Sequence, residues 1–156
     1  MRTAERLRFL VLGAQREGNR WLANELRPLG LTPSGAEVLR VLGDAAPLSL
    51  TALGELLVCE SGTNPSRLVD RLVAVGLVER RTLESDRRAV VLTLTADGER
   101  LEKAVRSIEE RMYADLDQAG SAAELARSIE ILERFVAGRP SGTALAARIA
   151  REHPSS

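Results

Sequence analysis

The sequence predicts a mainly α-helical fold with one small β-hairpin. Apolar residues recur at three- and four-residue spacing through most of the 156 positions, as helices with one buried face require. Between Leu77 and Leu94 the period falls to two, as short strands require. Ser or Thr caps open the apolar runs, and Gly or Pro closes most of them. Hydrophobic residues make up 44% of the chain and charged residues 28%, a globular composition able to bury its own core. The length suits one domain.

Residues 4–29 form the first predicted helix. Leu7, Leu10, Val11 and Ala14 begin its stripe, Trp21, Leu22 and Leu26 continue it, and Pro28 and Gly30 end it. Gly13 and Gly18 weaken its interior. Thr32 caps a second helix, with Pro33 in its first position and Val38, Leu39 and Leu42 inside. Residues 44–47 read as a loop. Ser49 caps a short third helix with Leu50, Leu53, Leu56 and Leu57 inside. A turn at Val58-Cys59-Glu60 leads to Ser61, the expected cap of a fourth helix reaching about Val75, with Pro65 in its first turn. Leu68, Leu72 and Val75 face inward on it, Val69 and Val73 flank them, and Gly76 stops the helix.

Two strands follow, around Arg80–Glu84 and Ala89–Leu94, joined by a turn at Ser85-Asp86-Arg87-Arg88. Thr95 caps a long fifth helix striped by Leu101, Val105, Ile108, Met112 and Leu116. Ser121 and Glu124 make a capping box on a sixth helix, striped by Leu125, Ile129, Leu132 and Val136. Gly138 to Gly142 breaks the pattern, and a short amphipathic piece follows at roughly 143–151. The many carboxylates read as solvated helix faces.

Residues 32–94 therefore run helix, helix, helix, strand, strand, and a short turn joins the last two helices. That order is a helix-turn-helix followed by a β-wing. The helices on either side carry more apolar surface than so small a unit needs, and a second copy of the chain would cover it. A two-fold dimer would also set two reading helices about one DNA turn apart.

The chain resembles the multiple-antibiotic-resistance regulator (MarR) family of winged-helix transcription factors. The resemblance rests on residues 31–101, with weaker support over nearly the whole chain. Leu31-Thr32-Pro33 opens the second helix as in that family, and Arg67-Leu68-Val69-Asp70-Arg71-Leu72 stands in the reading helix. Gly76-Leu77-Val78-Glu79-Arg80 follows, and Asp86, Arg88, Leu94 and Thr95 meet the family's wing signature, with Gly98 beyond it. Asn64-Pro65 departs from the Thr-Val of many relatives and shifts the expected start of the reading helix. The resemblance implies a single MarR-like domain over 1–156. Within it, residues 31–95 would be the winged helix-turn-helix, 4–29 and 96–137 dimerisation helices, and 138–156 a C-terminal tail. It also implies a homodimer, a double-stranded DNA operator with an inverted repeat, repression, and a small-molecule effector; the cytoplasm is the default expected location, since no signal peptide is read.

At 100° per residue, inward-facing Leu68 and Leu72 put Thr63, Arg67, Asp70 and Ala74 on the outer face. Asn64 and Arg71 lie beside them and Ser66 on the other flank. Arg and Asn make bidentate contacts to guanine and adenine, so the expected contacts are Thr63, Asn64, Ser66, Arg67 and Arg71. Arg87 and Arg88 add a basic wing tip for the minor groove or phosphates. By resemblance, Asp86 and Arg88 hold the wing together, which leaves Arg87 for the groove. Arg80 and Arg81 are further phosphate candidates, and Asp70 is placed to orient a neighbouring Arg. Residues 61–100 hold seven Arg against six acids, so binding needs the cations gathered on one face. By resemblance again, Phe9, Trp21, Met112 and Tyr113 are candidates for an effector pocket; plain packing is the competing reading, and aromatics at 3% speak against an aromatic cage.

Other classes find little support. The 22 basic and 22 acidic side chains cancel, which argues against a uniformly basic nucleic-acid coat while allowing a local basic surface. Lys103 is the only Lys, a bias that genomic base composition explains better than selection for phosphate contacts. No apolar run approaches the ~20 residues of a membrane span, and no signal peptide is expected. The single Cys59 excludes a disulfide within the chain and reads as a small filler rather than a redox sensor. Cys59 and His153 alone cannot build a usual transition-metal site. No nucleophile motif, phosphate loop or spaced His/carboxylate set points to an enzyme, and no cofactor is expected. The reading that competes with a DNA-binding regulator is a winged-helix protein-interaction module that has lost DNA readout. The near-neutral charge and Asn64-Pro65 keep it open.

Overall fold

The computed structural model describes residues 1–58, 64–83 and 86–152, without the side chains of Leu83, Asp86, Arg87, Arg88 and Glu152. Its elements run α1 (Thr3–Leu26), a 3-10 turn (Arg27–Leu29), α2 (Pro33–Ala45), α3 (Leu50–Leu56), α4 (Pro65–Ala74), β1 (Val78–Leu83), β2 (Asp86–Leu94), α5 (Ala96–Gln118), α6 (Ala122–Val136) and α7 (Pro140–Glu152). The fold is mainly α, with β1 and β2 paired antiparallel as a hairpin.

The caps act as their residue types dictate. Thr32 Oγ1 accepts from the Gly35 N–H at 3.1 Å, and Ser49 Oγ from the Ala52 N–H at 3.1 Å. Ser121 and Glu124 form the reciprocal capping box on α6. In the core, α2 lies at the centre. Val38, Leu39 and Leu42 are fully enclosed by Leu26 of α1, Leu53 of α3, Val69 of α4, Leu92 of β2 and Val105 of α5. Each such side chain contributes about 2 kcal/mol of burial.

Several expectations need correction. The described part of α4 starts at Pro65 with Asn64 as its cap, in place of Ser61. Proline suits the first helical position, where its missing N–H would have no partner inside the helix. Val75, expected inside, is 67% exposed. It has already left the helix: Gly76 takes a left-handed φ of +74°, the Gly76 N–H donates to Val73 O, and the Leu77 N–H donates to Leu72 O at 2.9 Å. This is a Schellman ending, which puts Leu77 rather than Val75 against Leu72.

The second strand starts at Asp86, so Asp86 to Arg88 belong to β2 and not to the turn. Between the pairs Thr82↔Val90 and Leu83↔Asp86, β1 advances one residue and β2 four. Arg87, Arg88 and Ala89 therefore occupy an irregular, bulged part of the wing. At its other end the loop before α3 joins the hairpin. The Leu48 N–H donates to Leu92 O at 3.2 Å and the Leu92 N–H to Leu48 O at 2.7 Å.

Two further differences concern function. The C-terminal piece is a full helix, α7, with Ala144 buried, and it begins three residues earlier than expected. The carboxylates of Glu37 and Glu102 are buried rather than solvated. Both sit on faces where Arg side chains from other elements reach them, which spacing along a single helix does not reveal.

Candidate nucleic-acid interface

α4 presents its polar face outward because Leu68, Val69 and Leu72 anchor the opposite side. Arg67, Asp70, Arg71 and Ala74 are exposed, as helical geometry requires, and Ser66 is half-buried. Asn64 acts as the cap, its Oδ1 accepting from the Ser66 N–H at 2.9 Å. Thr63 and Cys59 lie outside the described residues, as do the side chains of Arg87, Arg88 and Asp86.

The acids of this region are tied to specific cations. Asp70 on α4 pairs with Arg80 on β1 at 2.5 Å, so Asp70 orients an Arg and joins the helix to the wing. Glu79 pairs with Arg81 at 2.5 Å and Asp97 with Arg100 at 3.0 Å. All three are surface pairs, worth at most about 1 kcal/mol each. Their main effect is on charge distribution. Among the described residues, no carboxylate lies within ion-pair distance of Arg67 or Arg71.

The wing and reading helix are fixed to α5 by one motif. Thr95 Oγ1 donates to Gly76 O at 2.7 Å and accepts from the Gly98 N–H at 3.0 Å, while the Thr95 N–H donates to Leu77 O at 3.1 Å. Gly98 lies so close that a Cβ there would fall 2.0 Å from Leu77 O. Leu94-Thr95 and Gly98 are thus the joint between reading unit and long helix.

A buried ion cluster fixes α5 to α2. Arg40 donates from Nη1 to Glu102 at 2.6 Å and from Nε to Glu109 at 2.8 Å. Arg106 bridges Glu102 at 2.5 Å and Asp44 at 2.8 Å. Burial works against the Arg40 charge, but Glu102, Asp44 and Glu109 outweigh it and hold its pKa above the ordinary value. Asp44 leads the upward shift of Arg106.

The four effector candidates are spread over α1 and α5. Trp21 is half-buried against the core, with the Arg111 guanidinium 5.7 Å from its ring centre. Phe9 is 50% exposed under Arg8 and stands roughly 18 Å from Trp21 along α1. Met112 is half-buried. Tyr113 donates to Glu109 at 3.4 Å, and its phenol is pushed up by burial and by that carboxylate, against Arg40 and Arg148. One chain therefore does not gather Phe9 and Trp21 into one wall.

An outward reading helix behind a helix-turn, joined to a wing and backed by long helices, defines a winged helix-turn-helix DNA-binding transcriptional regulator. The MarR family model matches residues 29–89. The organic hydroperoxide resistance transcriptional regulator of Bacillus subtilis is 33% identical over 67% of this chain and 71% of its own length. The transcriptional regulator MgrA of Staphylococcus aureus is 29% identical over 69% of this chain and 74% of its own. A mutant of the E. coli MarR protein, solved with operator DNA, superposes with a TM-score of 0.72 at 27% identity, covering 83% of this chain and 93% of that one. The Bordetella bronchiseptica regulator BpsR shares the fold, with a TM-score of 0.74 at 22% identity over 88% of this chain and 98% of its own. The chain belongs to the MarR family.

Proposed function

We propose that the chain acts as a homodimeric repressor that binds an inverted repeat in double-stranded DNA and is released by a small-molecule effector. The bare apolar surface of the long helices carries the dimer. Leu7, Leu10 and Val11 on α1, Leu116 on α5, and Ile129 and Phe135 on α6 are 42–64% exposed. Single chains rarely leave so much large apolar surface in water, and a two-fold partner covers it with the same faces. Each subunit would then contribute one α4 to the major groove.

In this reading Arg67 and Arg71, with Thr63, Asn64 and Ser66, contact bases or phosphates, and Arg87 and Arg88 contact the flank. Arg67 and Arg71 are exposed, with no carboxylate in ion-pair distance among the described residues, and this supports the reading. The effector would bind near Trp21, Met112 and Tyr113, with Phe9 supplied from another part of the dimer, and favour a dimer whose reading helices are wrongly spaced. The protein would work in the cytoplasm as a regulator without catalysis. Among the described residues, no helix is long and apolar enough to cross a membrane.

The test is a pull-down from sheared genomic DNA, run at two salt concentrations beside an Arg67→Ala/Arg87→Ala variant, with sedimentation of the same samples. A two-chain particle that enriches a few palindromic sites, and a variant that does not, support the reading. A monomer, or equal recovery by the variant, would remove it.

A further inference from the structure

α7 packs against α3, and its Arg148 reaches the carboxylate that holds the exit of α3. Glu37 of α2 is 9% exposed, and its Oε1 accepts from the Val58 N–H at 2.8 Å and from Arg148 Nη1 of α7 at 3.3 Å. Val58 is where the chain leaves α3 on its way to α4. Ala144 is buried one helical turn before Arg148, where α7 packs against α3. A single carboxylate thus holds the exit of α3 on one side and the C-terminal helix on the other.

The other end of α7 is fixed to α6. Gly138 turns the corner with a left-handed φ of +70°, and a Cβ on Gly142 would fall 2.2 Å from Val136 O. The corner is therefore close-packed backbone on backbone. A shift of α6 carries α7 with it and bears on the Arg148–Glu37–Val58 junction.

We propose that Arg148 and Glu37 are positioning residues of the DNA-reading unit, through which α7 fixes the exit of α3 and so the placement of α4. The inference rests on the chain reading DNA. Without Arg148, a largely buried carboxylate loses a cationic partner. Turning toward water relieves it and releases the Val58 N–H. α4 then samples placements that do not fit the groove, and operator affinity falls although Arg148 touches no base.

The experiment uses the full chain and a fluorescent duplex carrying the inverted repeat recovered by the pull-down. Binding is titrated by anisotropy at several salt concentrations for the wild type, Arg148→Ala and Arg148→Lys, and amide hydrogen exchange is followed at Val58 and Leu42. Arg148→Ala is expected to weaken binding by roughly tenfold, within the two- to thirtyfold range of such indirect couplings, with the salt slope unchanged. Its Val58 amide exchanges faster while Leu42, inside α2, stays protected, and Arg148→Lys recovers part of both.

Unchanged affinity would overturn the proposal, as would a salt slope shallower by about one, which marks a direct phosphate contact. An unchanged Val58 amide would do the same. If Arg148→Ala fails to fold, Arg148→Lys carries the test with a smaller loss of the same kind. A wild-type chain that ignores the duplex would instead sink the DNA-binding reading, and Val58 exchange would still decide the junction.

Discussion

Replacing Arg40 by Met tests the frame that holds the reading unit. The Arg40 side chain is 12% exposed and lies among Glu102, 8% exposed, Glu109, 14%, and Asp44, 31%. Methionine fills much of the same volume but leaves three carboxylates with Arg106 as the remaining cation of the cluster. Breaking a buried pair by removing one partner costs about 3–5 kcal/mol, because the charge left behind is uncompensated. Arg106 still bridges Glu102 and Asp44 but is 43% exposed, so its compensation is partial and screened. The expected loss is about 3 kcal/mol. At this chain length each kcal/mol lowers the midpoint by about 2–4 °C, so thermal unfolding followed by circular dichroism should drop by roughly 6–12 °C. Adding Glu102→Met should restore part of the loss, since an ion pair replaced by apolar volume is often neutral. A drop of less than about 2 °C for Arg40→Met, with no recovery in the double variant, would refute the buried-cluster account.

Three further outcomes follow from the same geometry. Arg67→Ala should weaken operator binding by about 1–3 kcal/mol and relax preference at one base position if the side chain reads a base, as competition titrations with single-base variants of the site would show. A uniform loss across sequences would make it a phosphate contact instead. Gly98→Ala forces a Cβ into the Leu77 carbonyl and should destabilise by roughly 1–3 kcal/mol or more, measured by urea unfolding; wild-type stability would mean that α5 can back away from the wing. Glu124 has a lowered pKa because Ser121 donates to it from both side chain and backbone. Its capping contribution is therefore full above the ordinary glutamate range and is lost as pH falls through the lowered folded value. Glu124→Gln should flatten that acid-side loss in α6 helicity, and an unchanged pH profile would count against the box.

The elements were legible where one helix or strand decides its own fate. The stripes of α1, α2 and α5 and the caps Thr32, Ser49, Thr95 and Ser121 depend only on local periodicity and hydrogen bonding, and all are found. The errors fall where a neighbour decides. Val75 obeys the helical period but is the C-cap of α4, where the Gly76 ending turns the chain. Asp86 to Arg88 look like turn residues, yet Asp86 pairs with Leu83 of β1 and the strand begins there, with Arg87 and Arg88 in its bulged stretch. Glu37 and Glu102 look solvated on their own helices but meet Arg148 and Arg40, which arrive from α7 and α2. The outward face of α4 was readable from 3.6-residue geometry. The assignment of Asp70 to Arg80 across ten residues required the hairpin to be in place.

That assignment explains how a chain of balanced charge can still read an anion. With seven Arg against six acids over residues 61–100, a smeared distribution would give almost no field. Here Asp70, Glu79 and Asp97 each neutralise an Arg of the wing or of α5, and the described cations left uncompensated, Arg67 and Arg71, share the reading helix. A weak net charge keeps non-specific attraction to any duplex small, since that attraction scales with the number of phosphates neutralised. The base contacts proposed for α4 would then make up a larger share of the binding energy. The near-neutral composition thus favours discrimination over raw affinity, and it makes correct placement of α4 matter more than the amount of positive charge.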